Sequence, residues 1–127
     1  MPLVRISSYR HDDPAYAGAI GDAVHRALVE TMDVPPDDKF QIHSSHAAGQ
    51  IVYPPSYLGV AHTDAIVIIQ ITLNLGRTVE KKRALYARIA ELLAASPGVP
   101  RSDVVISLVE VLKENWSFGD GIAQYAT

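Results

Sequence analysis

Pro2 is the first residue in this chain whose chemistry stands out. Methionine before a small residue is normally trimmed in cells, so loss of Met1 is expected to leave a secondary amine. An α-amino group titrates at about 8 in water, and apolar surroundings disfavour its ammonium form. Such an amine suits proton transfer near neutral pH. Arg77, in Gly76-Arg77-Thr78, offers a guanidinium that can hold a carboxylate by two parallel hydrogen bonds. Asp38 follows Pro35-Pro36 and precedes an extended run; it reads as a turn aspartate or as a carboxylate that orients water. His25 sits beside a helical apolar stripe, able to pack or to hydrogen-bond a substrate. Trp116 and Phe118, in Asn115-Trp116-Ser117-Phe118-Gly119, can wall a pocket, cover a neighbouring subunit or fill core.

Other chemistries find no residues here. There are no cysteines, which excludes disulfides, thiolate zinc sites and a cysteine nucleophile. No two of the five histidines stand four apart on a predicted helix, so no metal is expected. Gly-x-Ser-x-Gly, phosphate-loop and dinucleotide glycine motifs are missing. The net charge of −3, with no basic block, argues against nucleic acid as a partner. The apolar run at 65–69 is far too short to cross a bilayer, and the first residues lack a signal-peptide pattern. The expectation is a cytoplasmic protein with no membrane partner.

The elements that must position these side chains follow from pattern. Residues 3–8 alternate as a strand does. Asp12-Asp13-Pro14 predicts a helix start, and Ile20, Ala23, Val24, Ala27, Leu28 and Thr31 give helical spacing up to about residue 33. Residues 40–44 read as a strand, 51–53 as a shorter one, and Pro54-Pro55-Ser56-Tyr57-Leu58-Gly59 as a loop. The β-branched run at 65–73 predicts a buried central strand. A turn at Asn74-Leu75-Gly76-Arg77 leads to Thr78 as cap of a second helix, with a stripe of Leu85, Ile89, Leu92 and Leu93, stopped by Ser96-Pro97-Gly98. Residues 104–109 close the pattern as a strand.

With 127 residues, one domain is expected, built as a pseudo-repeat of about 1–60 and 61–127. Each half reads strand, helix, strand, its strands about 37 to 38 residues apart. The fold class is therefore α+β, an α/β sandwich of two fused β-α-β units. A four-stranded sheet carries both helices on one face, with parallel strands within each unit. The other face is expected to be bare and apolar, which calls for oligomerisation.

Together these residues resemble the tautomerase superfamily. The segments that carry the resemblance are Pro2-Leu3, Asp22-Ala23-Val24-His25-Arg26-Ala27-Leu28-Val29-Glu30, Val34-Pro35 through Asp38 to Gln41-Ile42, Gly76-Arg77-Thr78 and Asn115-Trp116-Ser117-Phe118-Gly119. The pattern is most similar to the malonate semialdehyde decarboxylase branch. The resemblance implies a homotrimer, a catalytic amine at Pro2, Asp38 cooperating in decarboxylation or hydration, and Arg77 binding a substrate carboxylate. It makes Trp116 and Phe118 pocket walls and His25 a substrate-binding residue, with Leu75 adding to the apolar wall on the substrate. At Leu75 the sequence departs from that branch, which has a second arginine there; one charge-assisted hydrogen bond of ~1.5–3 kcal/mol is thereby lost. The substrate implied is a small carboxylate-bearing carbonyl compound, with no cofactor, because the carbonyl is itself the electron sink. Keto–enol tautomerisation or decarboxylation is expected. The alternatives are hydration of an unsaturated acid, a non-catalytic binding protein on the same fold, and a structural trimer with a vestigial site.

Overall fold

The computed structural model describes residues 1–126. Strand β1 (Leu3–Tyr9) leads to helix α1 (Tyr16–Met32) and strand β2 (Phe40–His46). A short hairpin, β3 (Ser56–Tyr57) and β4 (Val60–Ala61), precedes strand β5 (Val67–Asn74), helix α2 (Val79–Ala95) and strand β6 (Val104–Val111). The main sheet has the order β2-β1-β5-β6. β1 runs parallel to β2 and β5 parallel to β6, while β1 and β5 meet antiparallel at the centre. Among the described residues no helix is long and apolar enough to cross a membrane.

The repeat is closely spaced. Sixty-three residues separate Tyr16 from Val79 and Met32 from Ala95, the ends of two 17-residue helices. The same interval separates Val4 from Val67 and Gln41 from Val104, and these four residues pair as Val4 with Gln41 and Val67 with Val104. The expected strand separation of about 37 thus holds in both halves.

Alternation in the strands decides which face the helices cover. Val4, Ile6, Val67, Ile69, Ile71 and Leu73 are buried beneath Ile20, Val24, Leu28, Leu85, Ile89 and Leu93. Each such side chain contributes about 1.5–3 kcal/mol by leaving water. Gly21 lets α1 approach β2: a Cβ there would stand 2.3 Å from Gln41 Oε1, and Gln41 Nε2 donates to the Gly21 carbonyl at 2.9 Å. On the solvent side, Glu30 of α1 accepts from Arg26 at 3.0 Å and from Arg88 of α2 at 2.6 Å. Those two guanidiniums hold its carboxyl at about 2. Thr78 caps α2 as expected, accepting from the Lys81 amide at 3.2 Å.

Four expectations are corrected. α1 begins at Tyr16, without a side-chain cap, because Asp13 spends its carboxylate on the Ala15 amide in a local turn. Residues 51–53 form no strand; buried Ile51 uses its carbonyl to accept from the Tyr9 hydroxyl at 2.5 Å. The segment read as a loop holds the β3–β4 hairpin, turned by Leu58 and Gly59 at φ 50° and 80°. The open face of the sheet is mixed, not uniformly apolar: at its centre the register pairs exposed Arg5 with exposed Gln70.

Fully buried Asp103 ties the two ends of the second unit. Its carboxylate accepts from the Thr63 amide and hydroxyl, both at 2.6 Å. Nearby, Tyr53 donates its hydroxyl to Asp64 and meets the His62 ring edge-on at 6.4 Å.

Candidate functional site

The antiparallel centre of the sheet brings the start of β1 beside the end of β5. Leu3 pairs with Phe40 on one side and with Thr72 on the other. Residues just before β1 and β2 and just after β5 and β6 therefore converge at one end of the sheet.

Pro2 is buried there, in a cleft of about 240 Å³ lined with Leu3, Phe40, Trp116 and Phe118. The aromatic wall is built in layers. Trp116 stacks on Phe118, ring centroids 5.3 Å apart and planes 20° off parallel. Phe118 meets Phe40 at 6.3 Å on one side and Tyr125 edge-on at 5.2 Å on the other. Trp116 Nε1 donates to Asn74 Oδ1 at 2.7 Å, which fixes the indole against the end of β5. Asn74 is itself buried, so this bond satisfies two groups withdrawn from water.

Asp38 approaches the amino end from the turn before β2, where its amide donates to the Pro35 carbonyl at 3.0 Å. Its Oδ2 lies 4.0 Å from the Met1 ammonium nitrogen, and its Oδ1 is buried with no hydrogen-bond partner among the described residues. Arg77 stands beyond the end of β5, half-buried, its guanidinium donating to the Asn74 carbonyl at 3.0 Å. Burial holds the N-terminal amine below its ordinary value; Asp38 opposes this, and the positive charges of Arg77 and Lys113 add to the lowering. The balance therefore shifts the amine towards its neutral form, beside a carboxylate and within the field of two cations.

Pro2, Trp116 and Phe118 line one cleft, Asp38 lies beside the Met1 nitrogen that borders it, and Arg77 acts on that nitrogen through its charge. Two residues from the sequence analysis stand differently. His25 Nε2 lies 2.7 Å from the Pro36 carbonyl, so the ring engages the backbone of the loop that carries Asp38 and does not line the cleft. Leu75 is 54% exposed and borders a neighbouring cleft of about 480 Å³ with Lys113 and Glu114. Sequence reasoning missed Lys113, whose charge reaches the amine, and Asn74, which holds the indole. Their only sequence signal was position: each closes a strand or follows one at the end where Pro2 begins. No group of three or more histidines and acids among the described residues is arranged to hold a metal ion.

The family described as "Tautomerase enzyme" matches residues 38–119. The chain belongs to the tautomerase superfamily. This tautomerase-superfamily chain is 36% identical to a probable tautomerase of Bacillus subtilis (strain 168) over 124 residues, 98% of each chain. A second probable tautomerase of that organism is 33% identical over 127 residues, covering 100% of this chain and 98% of that one. Among solved structures it is similar to FG41 malonate semialdehyde decarboxylase inhibited by 3-bromopropiolate, with a TM-score of 0.90 and 41% identity over 97% of this chain and 93% of that chain. A malonate semialdehyde decarboxylase described with decarboxylase and hydratase activities gives 0.89 at 29% identity, over 97% and 95%. The branch resemblance and the two-helix, four-stranded fold therefore both hold.

Proposed function

We propose that this tautomerase-superfamily enzyme moves a proton within a small 2-oxo acid, or a related enolisable carbonyl acid, using the Pro2 amine set free by removal of Met1. The observation that carries this reading is the amino end of the chain in an aromatic-walled cleft, with Asp38 4.0 Å from the Met1 nitrogen and burial and the Arg77 charge shifting that amine towards its neutral form. Arg77 binds the substrate carboxylate. Neutral Pro2 takes the enol hydroxyl proton and returns it to carbon, so the carbonyl forms and no atom is gained or lost. In a decarboxylating variant, protonated Pro2 polarises the aldehyde oxygen, the carbon–carbon bond breaks, carbon dioxide leaves, and the enol is then protonated at carbon. Trp116 and Phe118 exclude water and keep the amine's pKa low.

The unpartnered Oδ1 of Asp38 favours one second reading, in which that carboxylate activates water for addition to an unsaturated acid. His25 is then a positioning residue that holds the Pro36 backbone ahead of Asp38. A homotrimer formed through the open sheet face accords with a fused 4-OT described as a symmetric trimer, which gives a TM-score of 0.79 at 26% identity over 98% of each chain.

The test is ketonisation of phenylenolpyruvate, followed by ultraviolet absorbance, on untagged protein shown by mass to lack Met1. Activity that is lost in Pro2→Ala supports the proposal. Equal rates in both proteins overturn the role of Pro2. Proton NMR of products from malonate semialdehyde and an unsaturated acid separates decarboxylation from hydration.

A further inference from the structure

The half-buried Arg77 guanidinium donates one of its N–H groups to the Asn74 carbonyl, and the nearby position Leu75 offers a substrate carboxylate no charge at all. A doubly oxygenated anion held from one side only is free to pivot, and proton transfer to a chosen carbon needs a fixed one. The cleft beside Leu75 contains a cation that no ion pair among the described residues occupies. Lys113 opens the one-turn 3-10 helix Lys113–Asn115 that follows β6. It is exposed, and its Nζ has no ion-pair or hydrogen-bond partner among the described residues. It lines one wall with Asn74, Leu75, Glu114 and Tyr125. The two clefts meet at one bond, Trp116 Nε1 to Asn74 Oδ1, because Trp116 lines the first and Asn74 the second. The short helix also sets the indole, since the Trp116 amide donates to the Lys113 carbonyl.

We propose that the Lys113 ammonium is the second cation of the site, taking the substrate carboxylate together with Arg77 from the side where Leu75 contributes only apolar surface. This rests on the reading of Arg77 as the carboxylate anchor. It gives the site a guanidinium fork on one side and a mobile point charge on the other, a pairing that accepts carboxylates at more than one distance from the reacting carbon. The charge of Lys113 also reaches the N-terminal amine, as that of Arg77 does. Glu114 is the one acid among the described residues that lines the same cleft.

The experiment compares processed wild type with Lys113→Met, Lys113→Arg and the remote control Arg101→Met, using phenylenolpyruvate and its methyl ester. Lys113→Met is expected to raise KM for the acid about tenfold, with kcat within about twofold, and Lys113→Arg to restore most of it. The ester, which has no carboxylate, shows no such change, and Arg101→Met matches wild type. An unchanged KM in Lys113→Met overturns the proposal, and so does an equal loss on acid and ester, which assigns Lys113 to the amine's field alone. If the wild type does not turn over phenylenolpyruvate, the reading of the reaction fails separately. Phenylpyruvate binding, followed by quenching of the single tryptophan, then decides: weaker binding in Lys113→Met supports the cation, and equal or absent binding in both proteins overturns it.

Discussion

Trp116 and Asn74 lie 42 residues apart, yet the indole Nε1 donates to the Asn74 side-chain oxygen at 2.7 Å. One bond therefore joins the end of β5 to the aromatic wall of the Pro2 cleft. Asn74→Ala leaves the indole N–H without its partner and is expected to cost about 1–3 kcal/mol. Thermal unfolding measures that loss. Because Trp116 is the only tryptophan, its fluorescence is expected to shift to the red in the folded variant. An unshifted spectrum and an unchanged Tm would sink this account of how the wall is fixed.

The amine's surroundings set the direction of a pH series. Burial lowers its pKa, Asp38 raises it, and Arg77 lowers it. In the processed enzyme the base-dependent limb of kcat/KM is expected below pH 8, carried by Pro2 in place of Met1. Asp38→Asn removes the negative charge that favours the ammonium form, so the limb moves to lower pH. Arg77→Met removes a repelling positive charge, so the limb moves to higher pH. Rate profiles between pH 5 and about 9 check both signs, and opposite movements would contradict the electrostatic reading.

Glu30 supplies an acid-stability signature independent of the site. Its folded-state carboxyl lies at about 2, held down by Arg88 and Arg26, and an unfolded glutamate titrates at about 4.3. A depressed carboxyl contributes stability that is present above its unfolded value and fades as pH falls towards about 2. Glu30→Gln is expected to lower Tm modestly at pH 7, since exposed pairs are worth little, and the two proteins are expected to converge as pH falls towards about 2, so the variant's dependence of Tm on pH is flatter across that window. Scanning calorimetry of both proteins from pH 5 downwards reads the difference.

Asp103 should matter more for stability. It is fully buried and accepts twice from Thr63. Asp103→Ala leaves the Thr63 amide and hydroxyl unpaired, a loss of roughly 2–4 kcal/mol. Hydrogen exchange at the Thr63 amide is expected to accelerate far more than exchange at Ile89. Uniform acceleration at both would mean that the chain loosens as a whole.

Much of this fold was legible because its signals are local. Thr78 followed by helical spacing named the second helix and its cap, and Leu85, Ile89 and Leu93 are its buried face. The β-branched run at 67–71 named the central strand. What escaped depended on competition between local bonds. Asp13 reads as a cap but bonds Ala15, two residues too early for α1. The hairpin hid in a segment rich in proline, although Leu58-Gly59 between Tyr57 and Val60 carried its turn signal. In the site, Pro2, Asp38, Arg77, Trp116 and Phe118 could be named from residue type and resemblance; Pro2, Trp116 and Phe118 share a cleft, and Asp38 and Arg77 reach the amino end by proximity and by charge. Lys113 and Asn74 could not, because nothing in their neighbours along the chain reveals the antiparallel β1–β5 contact that brings them to the first residues.

The 63-residue interval has a further consequence. Applied to Pro2 it leads to Ala65, and applied to Tyr53 it leads to Trp116. A polypeptide has one amino terminus however often its architecture is repeated. At Ala65 the nitrogen is an amide inside the chain, incapable of the basicity that Pro2 can acquire. Fusion thus makes the two ends of a near-twofold body chemically unequal and releases the far end from any duty as a base. There Tyr53, bound to Asp64 with its hydroxyl pushed up to about 12, stands where the near end carries an indole.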